Sequence, residues 1–207
     1  QRQMCIRDSS NAEAEKESVT IKPDTNENQS KPSVDVSQFK DVSNHWAKDD
    51  IAFVIERGLF YGLSETEFSV NTPMTRGMIV TVLHRLADSP QVSSIPFLDV
   101  KAGEFYANAV AWANATGITS GVSKTEFAPN DNVTREQLAV MLYQYAKSIG
   151  LVTEATTTQA IQFKDANQIS KWSEEAMRWA VDEGILLGTA DGTLDPQGIA
   201  TRAQVAT

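Results

Sequence analysis

The chain has 207 residues, of which 41% are apolar, and its 27 acidic and 18 basic side chains give a net charge of −9 at pH 7. This balance argues against nucleic acid and anionic lipid as partners, because binding to polyphosphates depends on Lys and Arg. The single cysteine, Cys5, excludes a disulfide framework and a cysteine-based metal site. No apolar run approaches the roughly 18 residues of a membrane span.

The N-terminal part differs in character from the rest of the chain. Residues 1–10, QRQMCIRDSS, share no pattern with the residues after them, and we interpret them as artefactual. Residues 11–38 are rich in Glu, Lys, Ser, Asn, Thr and Pro and contain few apolar positions. We therefore expect residues 1–38 to form a disordered linker.

Three degenerate copies of one unit occupy residues 39–88, 97–149 and 163–207. Each copy opens with Phe-x-Asp, continues with two glycines four residues apart, and has Thr-Arg seventeen residues after the first glycine. The third copy stops at Thr207, so we expect it to be truncated at its C-terminus. The repeated positions are Phe39, Asp41, Gly58, Gly62, Thr75 and Arg76; Phe97, Asp99, Gly117, Gly121, Thr134 and Arg135; and Phe163, Asp165, Gly184, Gly188, Thr201 and Arg202.

Each copy predicts a helix–loop–helix unit, so the fold class is all-α. Apolar residues at helical spacing precede the first glycine, which stands where a left-handed residue ends a helix. Thr75, Thr134 and Thr201 are predicted N-caps of the second helix, and a glutamine three residues later completes a capping box in copies two and three. We expect Phe53, Trp112 and Trp179, one in each first helix, to pack in the core.

These residues resemble the S-layer homology domain family. Phe-x-Asp, the aromatic residue at His45-Trp46, the glycine pair, the Phe-x-Pro at Phe127 and the Thr-Arg motif carry the resemblance. It covers residues 39–207 and implies that three repeats pack into one pseudo-threefold helical domain. It also implies binding of a secondary cell wall polysaccharide attached to peptidoglycan, at a terminal pyruvylated amino sugar, in grooves between the repeats.

The copies depart from the family pattern in places. The usual ending Thr-Arg-Ala-Glu reads TRGM, TREQ and TRAQ, so that the arginine is kept and the glutamate is absent each time. Copy one has Val70 where the others have Pro129 and Pro196. These departures put copy one most in doubt as a ligand site.

The three arginines are the leading candidates for ligand binding. Each follows an N-cap threonine, where a cation opposes the helix dipole at a cost of roughly 0.3–1 kcal/mol. A helix N-terminus offers N–H groups to anions, and a guanidinium fork matches a carboxylate. The alternative is that Arg76, Arg135 and Arg202 pair with internal carboxylates, among them those of Asp41, Asp99 and Asp165, as a structural contact.

The remaining candidates have weaker signals. The aspartates of Phe-x-Asp fit turn capping or acceptance from sugar hydroxyl groups. Trp46, Tyr106 and Trp172 are suited to stacking on sugar rings or to packing, and Gly62, Gly121 and Gly188 to close approach of a ligand or to conformation alone.

The pattern favours a non-enzymatic module that anchors an extracellular protein to the bacterial cell wall. No catalytic residue, metal ligand or cofactor site is predicted, and neither is a nucleic acid or membrane partner. Two alternatives stay open. One is a protein–protein module that self-associates in a surface-layer lattice, and the other is a glycan-active enzyme domain, which would require a carboxylate pair in a cleft.

Overall fold

The computed structural model describes residues 36–92, 94–152 and 161–207. The predicted linker therefore lies outside the described residues, apart from its last three. Val36–Gln38 forms a 3₁₀ helix, and Val36 packs against the hydrophobic core. The folded part thus begins slightly before the first predicted repeat.

Helices make up the regular structure of the described residues, which contain no strand, and the all-α prediction is confirmed. The helices are α1 (Lys48–Glu56), α2 (Arg76–Leu86), α3 (Ala107–Ala115), α4 (Arg135–Ser148), α5 (Glu174–Asp182) and α6 (Arg202–Ala206), with a further 3₁₀ turn at Ala166–Gln168. Each repeat contributes two consecutive α-helices.

The first helix of each repeat ends at the first glycine, as predicted. Gly58, Gly117 and Gly184 have φ angles of 69°, 74° and 70°. Such left-handed values cost a residue with a Cβ roughly 1–2 kcal/mol, which explains the glycine. The N–H of the next residue bonds back five positions, as from Leu59 to the Val54 carbonyl at 2.9 Å. This bond satisfies a terminal carbonyl of the helix.

The second helix of each repeat begins at the predicted threonine cap. The Thr75 hydroxyl accepts the N–H of Met78, and the two later copies have the full capping box with Gln137 and Gln204. Copy one lacks the reciprocal bond because Met78 has no acceptor.

The three repeats meet at a closed triangle of backbone hydrogen bonds. Met74 N–H donates to Ala200, Ala200 N–H donates to Val133, and Val133 N–H donates to Met74, over 2.8, 3.0 and 2.9 Å. All three residues are fully buried. Because each repeat donates once and accepts once, the triangle marks a pseudo-threefold axis. The predicted arrangement of the three repeats is confirmed.

Each second helix packs against the first helix of the next repeat. The contacts run from α2 to α3, from α4 to α5, and from α6 back to α1, which closes the ring. In the two longer interfaces, His84 lies against Trp112 and Tyr143 against Trp179, with ring centroids 5.4 Å apart in both pairs. The predicted packing of these tryptophans is confirmed.

The prediction was wrong for Phe53, the third member of that set. Its side chain is 51% exposed and lies under the guanidinium of Arg57. The reason is the length of α6, which has five residues in this chain, whereas α2 has eleven and α4 has fourteen. As described, α6 offers less surface to cover Phe53 than α2 and α4 offer to Trp112 and Trp179.

Candidate functional site

The three arginines are the first residues of α2, α4 and α6, and all are buried, with exposed fractions of 8%, 7% and 4%. Each donates from Nε and Nη2 to two backbone carbonyl groups of the following repeat, with repeat one following repeat three. The pairs are Arg76 with Phe127 and Ser120, Arg135 with Leu194 and Leu187, and Arg202 with Phe68 and Tyr61, over 2.6–2.9 Å.

The internal contacts of the arginines therefore differ from the carboxylate pairing that the sequence suggested. Their recorded hydrogen bonds go to carbonyl groups, so the suggested pairing with Asp41, Asp99 and Asp165 is wrong as a direct contact. Burial lowers the pKa of all three guanidinium groups, and that of Arg202 falls to about 10. Even at that value the group stays charged at neutral pH. Each guanidinium is a buried positive charge held by neutral dipoles.

The expected free N–H groups at these helix starts are also used internally. Arg76 N–H donates to the Asp131 carbonyl and Gly77 N–H to that of Pro129, at 2.9 and 2.8 Å, and Thr75 caps the third N–H. The same bonds recur at α4 and α6. The helix termini are consequently not open anion sites, and any anion binding has to rely on the side chains.

The bonding pattern is the same at Val70, where copy one departs from the proline of the other copies. The carbonyl of Val70 accepts the N–H of Ala203 at 2.9 Å, just as the carbonyl of Pro129 accepts that of Gly77. The position needs only its carbonyl group for docking. The loss of proline in copy one therefore leaves the contact between repeats intact.

The aspartates of Phe-x-Asp hold the loop between the two helices. The Asp41 carboxylate accepts the N–H groups of Phe68, Ser69 and Val70 at 2.7–3.0 Å. Asp99 and Asp165 accept N–H groups at the matching loop positions of their own repeats. In each loop, one of these donors has a positive φ, between 50° and 65°, as Ser69 does. The carboxylate thus stabilises a strained turn, which is the first of the two roles expected for Asp41, Asp99 and Asp165; their contact with a ligand stays a prediction.

A pH effect follows from the contacts of Asp41. Burial disfavours its charge, but the N–H bonds from Val70, Phe68 and Ser69 outweigh burial and hold its pKa below the usual 3.8. A carboxylate whose pKa is lower in the folded protein stabilises the fold above the unfolded pKa and loses that effect as the pH falls. We expect Asp41→Asn to lower the free energy of unfolding at pH 6 and to converge with the wild type below the folded-state pKa.

Chemical denaturation between pH 2 and pH 6 measures this difference. Glu67→Gln is the matched control, because Glu67 is an exposed carboxylate in the same repeat. A difference between Asp41→Asn and wild type that stays constant down to pH 2 would contradict the role assigned to the charge.

Each arginine borders a surface groove, and the three grooves have the same construction. One wall is the loop around the second glycine, and the other is the second helix of the same repeat. The arginine comes from the preceding repeat and an exposed aromatic side chain from the following one. Groove 1 is lined by Tyr61, Gly62, Met78, Arg85, Phe105 and Arg202; groove 2 by Arg76, Ser120, Gly121, Gln137, Met141 and Trp172; and groove 3 by Trp46, Asp50, Arg135, Leu187, Gly188 and Gln204, among others.

The aromatic residue of groove 1 is Phe105, so the choice of Tyr106 was wrong by one position. Trp46, Phe105 and Trp172 are 68%, 62% and 59% exposed and directly precede the N-cap of a first helix. Tyr106 is itself that N-cap and is 7% exposed. Its ring lies beside Gly77, where a Cβ would be 3.0 Å away. Tyr106 therefore belongs to the contact between repeats.

The second glycine of each pair borders a groove for a steric reason. A Cβ on Gly62, Gly121 or Gly188 would collide with the ring of Phe39, Phe97 or Phe163, respectively. None of these three glycines has a positive φ. The Phe-x-Asp and Gly-x-x-x-Gly motifs thus form one packing unit, in which the phenylalanine ring fixes the groove wall from behind.

Both histidines have structural contacts. Ala47 N–H donates to Nδ1 of His45 at 3.2 Å, and Nε2 of His84 bonds to the Pro90 carbonyl at 2.8 Å. Across residues 36–92, 94–152 and 161–207, no group of three or more His, Cys, Asp and Glu side chains is placed to hold a metal ion. The helices in these ranges are all too short or too polar to cross a membrane.

Comparison with known proteins agrees with the repeats. The model of the S-layer homology domain family matches residues 38–77, 96–139 and 162–206, more than half of the chain. The chain is 33% identical to an amylopullulanase of Thermoanaerobacterium thermosulfurigenes over 81% of its own length and 9% of that protein. It is 31% identical to the exoglucanase XynX of Acetivibrio thermocellus, over 81% of this chain and 15% of the relative. The chain is 28% identical to the surface-layer 125 kDa protein of Lysinibacillus sphaericus, over 83% of this chain and 14% of the relative.

The chain therefore spans less than a fifth of the length of these relatives. The family match and the surface-layer relatives place it at the cell surface or in the cell wall of a bacterium. Three family matches coincide with three structural repeats that share caps, loops and grooves, and they show that the chain belongs to the S-layer homology domain family, a family of cell-surface anchoring domains.

Proposed function

We propose that this chain attaches its parent protein to the cell wall by binding an acidic wall polysaccharide, non-covalently, in grooves 1, 2 and 3. The observation that carries the proposal is that each groove has a buried arginine at its border and an exposed aromatic ring beside it. No groove needs a ligand to be folded. Each is a preformed concave surface between rigid helices and a fixed loop.

The arginine supplies charge. A guanidinium held by carbonyl groups keeps its positive charge in surroundings of low dielectric, where attraction to an anion is stronger than in water. In each of the three arginines, Nε and Nη2 donate to backbone carbonyl groups. Within the described part of the chain, Nη1 donates to no protein group, which leaves it for a ligand. A carboxylate on a sugar, such as a pyruvyl ketal, is a ligand of matching charge.

The aromatic residue supplies apolar area. Trp46, Phe105 and Trp172 are each more than half exposed, so most of each ring surface is available to a ligand. A flat ring beside a cation fits a sugar whose C–H face stacks while its acidic group meets the charge. Three such grooves on one polymer act together, so that modest affinity at each one is sufficient.

Removal of the three exposed rings tests the proposal with little effect on the fold. We expect the triple variant Trp46→Ala, Phe105→Ala, Trp172→Ala to be retained on purified cell wall sacculi at least about tenfold less than wild type, since exposed aromatic anchors dominate many interfaces. Alanine variants of the arginines are unsuitable, because they would also break contacts between repeats. A double variant, Leu98→Ala with Leu151→Ala, is the matched control, as both residues are over 70% exposed and lie outside the grooves.

The charge is tested on the side of the ligand. Mild acid removes ketal-linked pyruvate from the polymer, and we expect treated sacculi to retain less of the wild-type chain. Binding should also weaken as salt is added, because salt screens charge attraction. Full retention of the triple variant, or equal binding to treated and untreated walls, would rule out the proposed mode.

A further inference from the structure

The three grooves are unequal in charge. Groove 1 contains two cations, Arg202 and Arg85, and no acidic residue lines it. Groove 2 has Arg76 alone. Groove 3 has Arg135 together with the acidic residue Asp50. The formal charge of the lining residues thus falls from two positive charges through one to zero.

Arg85 is held in a fixed position. Its Nη1 donates to the Leu59 carbonyl at 2.9 Å, and its guanidinium lies 4.5 Å from the centre of the Tyr61 ring. It stands nine residues after Arg76 in α2. The residue nine positions after Arg135 in α4 is Gln144, which has no charge. Groove 1 therefore has a second cation that groove 2 lacks.

Two fixed cations side by side are unfavourable unless an anion joins them. Burial and the charge of Arg85 both lower the pKa of Arg202, whereas Asp41 raises it. Asp41 does not line groove 1, and its carboxylate is occupied by loop N–H groups. A carboxylate that enters groove 1 would meet both guanidinium groups with no acidic residue of the lining to compete.

We propose that groove 1 is the main site for the acidic sugar of the polymer, that Arg85 is its second carboxylate-binding residue, and that groove 3 is the weakest site because Asp50 repels the same group. This inference rests on the proposed function. It reverses the ranking suggested by the sequence, in which copy one was the most doubtful. The motifs within one copy do not predict the strength of the groove on that copy, because the arginine of the groove comes from the preceding repeat and the aromatic ring from the following repeat.

Calorimetric titration of the whole chain tests the ranking. The probes are the methyl glycoside of a 4,6-pyruvylated N-acetylhexosamine and its pyruvate-free parent. We expect Arg85→Gln to weaken the strongest site for the pyruvylated probe about tenfold, as for loss of one charge-assisted contact. Arg85→Lys should bind the probe with an affinity between those of Arg85→Gln and the wild type, because the ammonium group keeps the charge but lacks the planar fork. Arg57→Gln removes the same charge from an exposed position outside the grooves and should have no effect. Asp50→Asn should strengthen groove 3.

Tryptophan emission gives an independent readout, because grooves 2 and 3 contain Trp172 and Trp46 while groove 1 contains Phe105. The first equivalent of the pyruvylated probe should release heat with little change in emission. An Arg85→Gln variant that binds like wild type, or an early tryptophan signal, would overturn the ranking and leave the proposed function standing. Equal wild-type binding of the two probes, or no binding of either, would overturn both.

Discussion

Replacement of Arg202 by alanine is expected to lower the free energy of unfolding by about 4 kcal/mol. The side chain is 4% exposed, donates to the carbonyl groups of Phe68 and Tyr61, and lies against the Phe68 ring. Each carbonyl group left without a donor costs about 1–3 kcal/mol, and loss of the cation over the ring adds about 1 kcal/mol. Since these bonds join repeat three to repeat one, the change should weaken closure of the ring of repeats, which the backbone bonds from Met74 to Ala200 and from Ala203 to Val70 still support.

Urea denaturation measures this loss. Arg178→Ala is the control, because Arg178 makes a surface ion pair with Glu174 four residues away, at 4.0 Å. Such pairs contribute about 0.5 kcal/mol or less. A loss below about 1 kcal/mol for Arg202→Ala would show that the guanidinium is not needed for closure of the ring. The free energy of unfolding of Arg202→Lys should lie between those of Arg202→Ala and the wild type, because an ammonium group keeps the charge but lacks the planar fork.

The arginines therefore combine two roles. Their carbonyl contacts give the position a stability requirement, and in the proposed function their positive charge gives the groove an affinity for anions. This combination explains how a cation persists at three helix starts where the helix dipole favours an acidic residue. It also explains why charge reversal at these positions would unfold the domain before it could report on binding.

Local features were predictable from the sequence. The glycine ends and threonine caps of the helices depend on residues at most six positions apart, so spacing alone defines them. The stripe Ile79, Val82, Leu83 and Leu86, at helical spacing in the sequence, was readable only in part, since Ile79 and Leu83 are buried, Val82 is half-buried and Leu86 is 48% exposed. Even the absence of the reciprocal capping-box bond in copy one was predictable, because Met78 has no acceptor in its side chain. In each case the partner lies within the same short segment.

Features that depend on the next repeat were not predictable. The buried residues of α2 include Arg76, Val80 and His84, of which Arg76 and His84 contact repeat two, and a search for apolar periodicity overlooks these polar members. The choice of Tyr106 instead of Phe105 as the groove residue was wrong for a related reason. Copy two lacks the His-Trp pair that marks the position, and the alignment of two adjacent aromatic residues is decided only by which one precedes the N-cap. The grooves draw on three repeats at once, so that no single copy reveals one.

Glu136 is a structural residue with no counterpart in the other repeats, where Gly77 and Ala203 occupy its place. It is the second residue of α4 and is 4% exposed. Its carboxylate accepts the N–H and hydroxyl of Ser170, the hydroxyl of Ser173 and the amide of Gln197, over 2.9–3.3 Å. The three donors all belong to repeat three, so one charge joins α4 to the start of α5.

We expect Glu136→Ala to lower the free energy of unfolding by about 3 kcal/mol. A hydrogen bond to a charged group contributes about 1.5–3 kcal/mol, but part of the loss is offset because the Ser173 hydroxyl can donate to the Ser170 carbonyl instead. Glu136→Gln should cost less, because one oxygen can still accept. Glu126→Ala, at an exposed position, is the control. Hydrogen exchange should locate the change: the amides of α5 should exchange faster while those of α1 are unchanged. Equal acceleration in both helices would mean that Glu136 supports the whole ring and not one interface.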